Sequence, residues 1–409
     1  MSRPEGINYM IIDKGRFLTF LPLFAAFLCI SLFSLNCADD PTSLGLKFLP
    51  KEDTTGIRVF DSSIDTMQIT STNKRIYVNT YFSGNLVVGM KGNYISKALI
   101  KFTDTSANYD SAVVNSAVLK LKYNNYSFPP ADSSNPASFD IFTIEQKLNF
   151  QTITMDSVST STFGNVSKGN FSGTLADTHR ISINFDTTLV RHWLEYAADT
   201  NHAVKNYGIV LSPTVSSNVL KSFYSGRTDA AVRPVLEVIV TKNNDRDTLI
   251  LDNSETLFLA TTTFAPDPER FFLQAGVSFT QAMRFDLSKI PPTATINDVL
   301  VYLTIDSAFS VFSSQTEKKI AASRITDTSG MKTEGAFIGE PTSSNLSQYV
   351  FRIIPPFQRW LNGETNYGIL IMPFNQRVNF DLFAFYDITA SDPAKRPRVV
   401  IKYTPRVHP

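Results

Sequence analysis

The side chains that could do chemistry in this chain are few and widely spaced. Four histidines occur, His179, His192, His202 and His408, and none belongs to an H-E-x-x-H pair that would aim two imidazoles from one helical face at zinc. His192 adjoins Trp193 and reads as the exposed neighbour of a buried ring. There is no G-x-S-x-G elbow and no phosphate-cradling G-x-x-x-x-G-K-S/T loop; "GNLVVGMKG" (84–92) has its glycines and lysine at the wrong spacing for one. Two carboxylates across a cleft can hydrolyse a glycosidic bond, and Asp104, Asp110, Asp186, Glu195, Asp286 and Glu364 are available for that work. Most of them fall at turn or cap positions, where a carboxylate accepts backbone hydrogen bonds instead. Loops rich in Asp and Asn could hold a structural Ca2+, but no EF-hand pattern supports one, and no cofactor or metal is expected. The chain reads as non-catalytic.

Recognition is the remaining chemistry. Aromatic faces stack on pyranose rings while Asn, Asp and Arg bond the hydroxyls. Tyr224 with Arg227, Tyr386 with Asp387, and Tyr123 and Tyr126 beside a long loop are candidate contacts for a glycan or a partner. The competing reading makes each an ordinary core or cross-strand aromatic. The loop itself, "NNYSFPPADSSNPAS" (124–138), could be a contact surface for another protein.

The N-terminus says where such contacts would occur. Residues 1–36 hold Arg3, Lys14 and Arg16, then an uncharged apolar run from Phe17 to Ser34, the pattern of a secretory signal. The two cysteines are Cys29, inside that run, and Cys37, directly after it. Cleavage before Cys37 leaves one thiol, at the first position, so no disulfide forms within a monomer. The arrangement resembles the bacterial lipoprotein signal, which implies lipidation of Cys37; an uncleaved anchor is the alternative. In "CADDPTSLGLKFLPKED" the acidic residues resemble the surface-export signal of Bacteroidota lipoproteins, and Ala38 fits outer-membrane sorting. "SLGLKFLPKED" resembles the opening of the Bacteroidota lipoproteins of domain-of-unknown-function family 4270. Glu5 and Asp13 leave with the signal, so the remaining chain is formally neutral, which argues against a nucleic-acid partner.

The elements that would position these residues are written twice. "SKALIKFTDTSANYDSAVVNSAVLKLKY" (96–123) parallels "TQAMRFDLSKIPPTATINDVLVYLTI" (280–305), and "SFYSGRTDAAVRPVLEVIVT" (222–241) parallels "AFYDITASDPAKRPRVVIKYT" (385–404). The only tryptophans, Trp193 and Trp360, each precede an Asn-Tyr-Gly-Ile phrase, at 206–209 and 366–369. Within a copy the period is mostly two, as in "AVLKLKY", with links rich in Ser, Thr, Asn, Gly and Pro. Strands are predicted at 75–79, 86–90, 97–102, 139–144, 207–211 and 235–241 among others. The Trp stretches are the exception: Val190, Trp193, Leu194 and Ala197 have the spacing of one buried helical face, with Asp186 before them as a cap and Pro355-Pro356 opening the second copy. Gly208 and Gly368 sit where a residue without Cβ permits a close backbone approach.

These observations predict an all-β protein of two tandem jelly-roll-like β-sandwiches, each with one short helix carrying a buried tryptophan. The predicted boundaries are a signal peptide (1–36), a lipid-anchored linker (37–56), a first sandwich (57–242), a linker (243–247) and a second sandwich (248–405). Trp193, Leu194, Gly208, Trp360, Leu361 and Gly368 are expected to be structural, and any ligand site should lie away from them. The order F-D-L-S-x-I-P-P, W-L-x-G, N-Y-G-I and R-P-x-x-x-I-x-Y, best matched over Arg284–Tyr403 and more loosely in the first copy, resembles the DNRLRE-type domain related to carbohydrate-binding module family 96. That resemblance implies a secreted sandwich module that serves as a stalk or binds polysaccharide. The expected protein is a lipid-anchored lipoprotein of the outer membrane, facing the cell surface or the periplasm. Its partner would be another envelope protein in a structural or adhesive role, or an extracellular polysaccharide.

Overall fold

The computed structural model describes residues 56–405 apart from 106–107, 176–179, 203, 264, 266, 314–316 and 343–346. Cys37, the signal and nearly all of the predicted anchoring linker therefore lie outside the described residues, as do His179 and His408. The fold is all-β, and its α-helices number two among the described residues.

The chain enters through β1 (Arg58–Asp61) and β2 (Ile69–Arg75). It then builds β3 (Asn85–Lys91), β4 (Tyr94–Phe102), β5 (Val113–Phe128), β6 (Ala137–Thr143), β7 (Gly169–Gly173), β8 (Arg180–Asn184), helix α1 (Thr187–Ala198), β9 (Ile209–Pro213), β10 (Val219–Tyr224) and β11 (Val235–Lys242). After β12 (Asp245–Thr261) the second copy follows: β13 (Arg270–Gln274), β14 (Phe279–Phe285), β15 (Thr295–Thr304), β16 (Ile320–Asp327), β17 (Lys332–Pro341), β18 (Gln348–Arg352), helix α2 (Ile354–Leu361), β19 (Ile369–Pro373), β20 (Leu382–Tyr386) and β21 (Arg398–Thr404). The predicted strand at 75–79 is absent beyond Arg75.

In the first sandwich the long strands β5 and β12 turn from one layer into the other. β5 pairs with β8 and β11 over its first part and with β10 over its last. β12 pairs with β11, then with β4. Alternation along β5 sends Ala117, Leu119, Leu121 and Tyr123 inward, where they meet Ile100, Phe139, Leu211, Phe223 and Val238. The second sandwich repeats the plan: Val299, Val301 and Leu303 of β15 face Met283, Ile371, Phe383 and Ile401. An inward residue at every second position is what period-two patterning requires of a half-buried strand.

The predicted domain boundaries do not survive strand pairing. β1 pairs with β21 (Phe60 opposite Ile401) and β2 with β14 (Met283 opposite Ser71), so residues 57–75 complete the second sandwich. Residues 248–261, expected there, complete the first. The expected linker is a hairpin: Lys242 faces Asp245, and Asn243 and Asn244 take φ of 54° and 70°, the left-handed pair that a two-residue turn demands and Asn tolerates. Polar residues mark turns and linkers alike, which is why composition put a boundary there. Each sandwich thus needs one corner strand, supplied to the first by a hairpin and to the second by the start of the described chain. Phe60 is buried, and Met67 and Ile69 pack on the second core.

A further core joins the halves. Val87, Tyr126, Phe128, Leu220, Phe258 and Ala260 pack with Val277 and Phe380. Across it the Phe380 N–H donates to the Tyr126 hydroxyl (2.8 Å), the Tyr94 hydroxyl to the Gln274 Oε1 (3.0 Å), and the Arg75 guanidinium to the Thr261 hydroxyl (2.8 Å). Residues 57–405 accordingly form one compact unit. Tyr126→Phe removes the acceptor of a buried N–H and is expected to cost about 1–3 kcal/mol, measured by denaturant unfolding.

Candidate functional site

The two tryptophan phrases are architecture in detail. Trp193 is 3% and Trp360 6% exposed, with Leu194 and Leu361 buried beside them. Asp186 caps α1, its Oδ1 accepting from the N–H groups of Thr188 (2.8 Å) and Leu189 (3.1 Å), while Lys168 pairs with the other oxygen at 2.8 Å. Burial pushes that carboxyl up, and these donors outweigh it, so the group titrates below the ordinary carboxylate range. Helix α2 has no side-chain cap; Pro355 and Pro356 open it. The Asn206 amide donates to the Phe102 carbonyl (3.2 Å) and the Asn366 amide to the Phe285 carbonyl (2.8 Å).

Gly208 and Gly368 have φ of 103° and 88° and press against the neighbouring strand. A Cβ on Gly208 would come within 2.6 Å of the Ile100 oxygen, and one on Gly368 would overlap the Met283 carbonyl. Gly368→Ala is expected to cost more than about 1 kcal/mol, read as a lowered denaturation midpoint, because both the backbone conformation and the space exclude a side chain.

The proposed contact aromatics fare differently. Tyr123 and Tyr126 are 3% and 0% exposed, so neither is available to a ligand. β5 runs on to Phe128 where a loop was expected, and the surface met by Tyr126 is the second sandwich of the same chain. Tyr123 faces the buried Lys221 ammonium, 5.3 Å from its ring centre. Tyr224 is half-buried, and Arg227 stacks not on it but on Tyr81 (4.0 Å) and Phe82 (5.3 Å). Tyr386 is half-buried between Arg270 (5.7 Å) and Lys395 (4.8 Å). Asp387 turns inward on its own backbone, its Oδ1 accepting from the Ile388 N–H at 2.8 Å. Arg270 is held by Asp306 (2.8 Å) and Asp267 (3.1 Å) and lies over Phe309 (3.9 Å). Burial raises the Asp306 carboxyl, but the Arg270 and Tyr386 hydrogen bonds prevail and lower it overall. The equivalent place in the first sandwich holds Asn124 bonded to Asn85 at 2.7 Å, so the corner has diverged between copies.

The sizeable clefts lie elsewhere. One of about 720 Å3 is lined by Thr70 of β2, by Gln68 just before that strand, and by Arg284, Asp286, Asn366 and Trp360. Trp360 therefore borders a cleft, and its indole N–H has no hydrogen-bond partner. A second, about 600 Å3, lies between Ser62–Ile69 and Arg396–Arg398 and shares Gln68 with the first. Both follow the seam along which residues 57–75 meet the second sandwich. Sequence reasoning missed them because the seam depends on a strand pairing that no local pattern announces. The first sandwich has a cleft of about 360 Å3 beside Thr143, Glu145, His192 and Tyr207. In the second sandwich Arg324 occupies the register position of Thr143 and is bound by Glu334 (2.7 Å) and Glu364 (2.5 Å).

The seam is also electrostatically fastened. Asp61 and Arg398 pair in fork geometry, with Nε at 2.9 Å, and the Lys289 ammonium donates to the carbonyls of Asp65 (2.7 Å) and Thr66 (2.8 Å). The Arg398 hydrogen bond outweighs the upward push of burial and, with lesser help from Ser63, holds the Asp61 carboxyl far below the usual range. A carboxyl lowered by folding stabilises the fold above its unfolded value of about 4 and loses that contribution as pH falls toward the folded one. Asp61→Asn is thus expected to lower the melting temperature at neutral pH, with the gap to wild type closing below about pH 4.

Among the described residues no group of three or more His, Cys, Asp or Glu side chains is placed to hold a metal ion. None of their helices is long and apolar enough to cross a membrane. A scan against protein-family models matches none of them, and a search of curated proteins finds none similar.

Proposed function

We propose that this chain is a non-catalytic lipoprotein of the bacterial outer membrane, anchored through Cys37, that serves as a structural or assembly module of the envelope. The observation that carries this reading is the closing strand. Residues 57–75, the described segment nearest the anchor, are built into the second sandwich, and the junction core packs both sandwiches into one compact unit. A tethered spacer needs such continuity. The lipoprotein-like signal, the neutral charge and the resemblance to stalk-forming modules support it further. Labelling cells with a palmitate analogue tests the anchor: wild type takes up label and Cys37→Ala does not. A label that persists in Cys37→Ala, or turnover of polysaccharide by the purified protein, overturns the proposal.

Glycan binding is the second reading, favoured by the first of the seam clefts, where Arg284, Asp286, Gln68 and an unpartnered indole N–H border apolar Ile290 and Pro292. Glycan-array binding abolished by Arg284→Ala but kept in Tyr224→Ala would support it. Silence across the array removes it.

A further inference from the structure

The two sandwiches receive their corner strands under different constraints. β12 cannot leave the first sandwich, since a two-residue turn ties it to β11. No such tie holds the arm formed by β1 and β2. It lies some 200 positions upstream of β14 and reaches the second sandwich only by folding back. The arm is connected to the first sandwich through Ile76–Val78, where the one backbone hydrogen bond outside the strands runs from the Ile76 N–H to the Ser278 carbonyl. From Asn79 onward the chain is fixed to the first sandwich, the Asn79 amide donating to the carbonyls of Phe150 (2.8 Å) and Ile153 (2.6 Å).

We infer that residues 57–75 are an exchangeable arm and that a second copy of this chain is the partner it fits. Apart from the Arg75–Thr261 hydrogen bond at the junction, the contacts that hold the arm belong to the second sandwich: four register pairs with β21, seven with β14, the Asp61–Arg398 and Lys289 bonds, and the burial of Phe60. An identical sandwich on a neighbouring copy offers the same contacts, so exchange sacrifices none of them and costs only association and a change in the three-residue connection. The arm also carries exposed apolar surface, with Ile57 65%, Val59 58% and Ile64 79% accessible, which closure within one copy leaves in water. A strand-exchanged pair would keep both sandwiches closed and join two copies without any preformed interface. High local density shifts the balance toward it, because closure within a copy is independent of concentration and exchange is not.

Cysteines at opposed positions report who donates the arm. Thr72 lies opposite Ala282, and Thr70 opposite Arg284. Full-length chains carrying only Thr72→Cys and chains carrying only Ala282→Cys, with different tags, are co-expressed and oxidised; neither can form the bond alone. The expected result is a covalent heterodimer at least about tenfold above a control pairing of Thr72→Cys with Val113→Cys, falling when the cells express less protein. The Thr70→Cys and Arg284→Cys chains supply a second reporter should the first perturb folding. Heterodimer no higher than the control with both reporters overturns the inference.

Discussion

Deleting residues 57–75 is expected to abolish the fold of the second sandwich. The deletion strips four register pairs from β21 and seven from β14, removes Phe60 from the core, and uncovers Met283, Phe285, Val399 and Ile401. A net 0.5–1.5 kcal/mol for each ladder hydrogen bond, and about 3 kcal/mol for a buried Phe, add up to roughly the whole stability of an ordinary domain. Arg398 would also lose its carboxylate partner. Circular dichroism and hydrogen exchange should show loss of protection in β14, β15 and β21, and the opened edge should promote aggregation. The same strands placed after Thr404 through an Asn-Gly turn should restore the fold, since β12 follows β11 in that manner. A deletion variant that melts like wild type would show that the arm is dispensable.

Trp193→Ala and Trp360→Ala are expected to cost about 3–5 kcal/mol each, the range for a large aromatic truncated in a core. Trp193 packs against Phe185 with ring centres 5.9 Å apart, and Trp360 against Phe357 at 5.1 Å. The junction core couples the halves, so both substitutions should lower one shared calorimetric transition. Two resolved transitions, each responding only to its own tryptophan, would mean that the halves unfold independently. Substitutions that leave the melting temperature unchanged would mean that the rings are not core at all.

The tryptophan helices, the Asn-Tyr-Gly entries and most strands were legible because each depends on spacing within a dozen residues. Asp186 announced its cap and Gly208 its close approach for the same reason. What failed was information that lives in pairing between distant segments. Nothing within "ITSTNKR" says that its partner is "FTQAMRF", and a polar Lys-Asn-Asn-Asp reads equally as hairpin or linker. Tyr126 looked accessible because Ser, Asn and Pro surround it; its burial comes from Phe380 and Phe258, far along the chain. The candidate site shared that fate. Trp360 was recognisable as a core residue, but the cleft it borders is finished by Gln68 and Thr70, which arrive with the closing strand.

Residues 57–75 close the second sandwich and not the first, and one disulfide tests that pairing. The register places Thr72 opposite Ala282, whereas an arm closing the first sandwich would bring Thr72 opposite Leu99, where Leu257 of β12 lies. Oxidation of the Thr72→Cys/Ala282→Cys chain is predicted to form the bond in high yield and raise the melting temperature, while Thr72→Cys/Leu99→Cys keeps its thiols free. The reverse pattern, with the bond to position 99 formed and that to position 282 absent, would contradict the account.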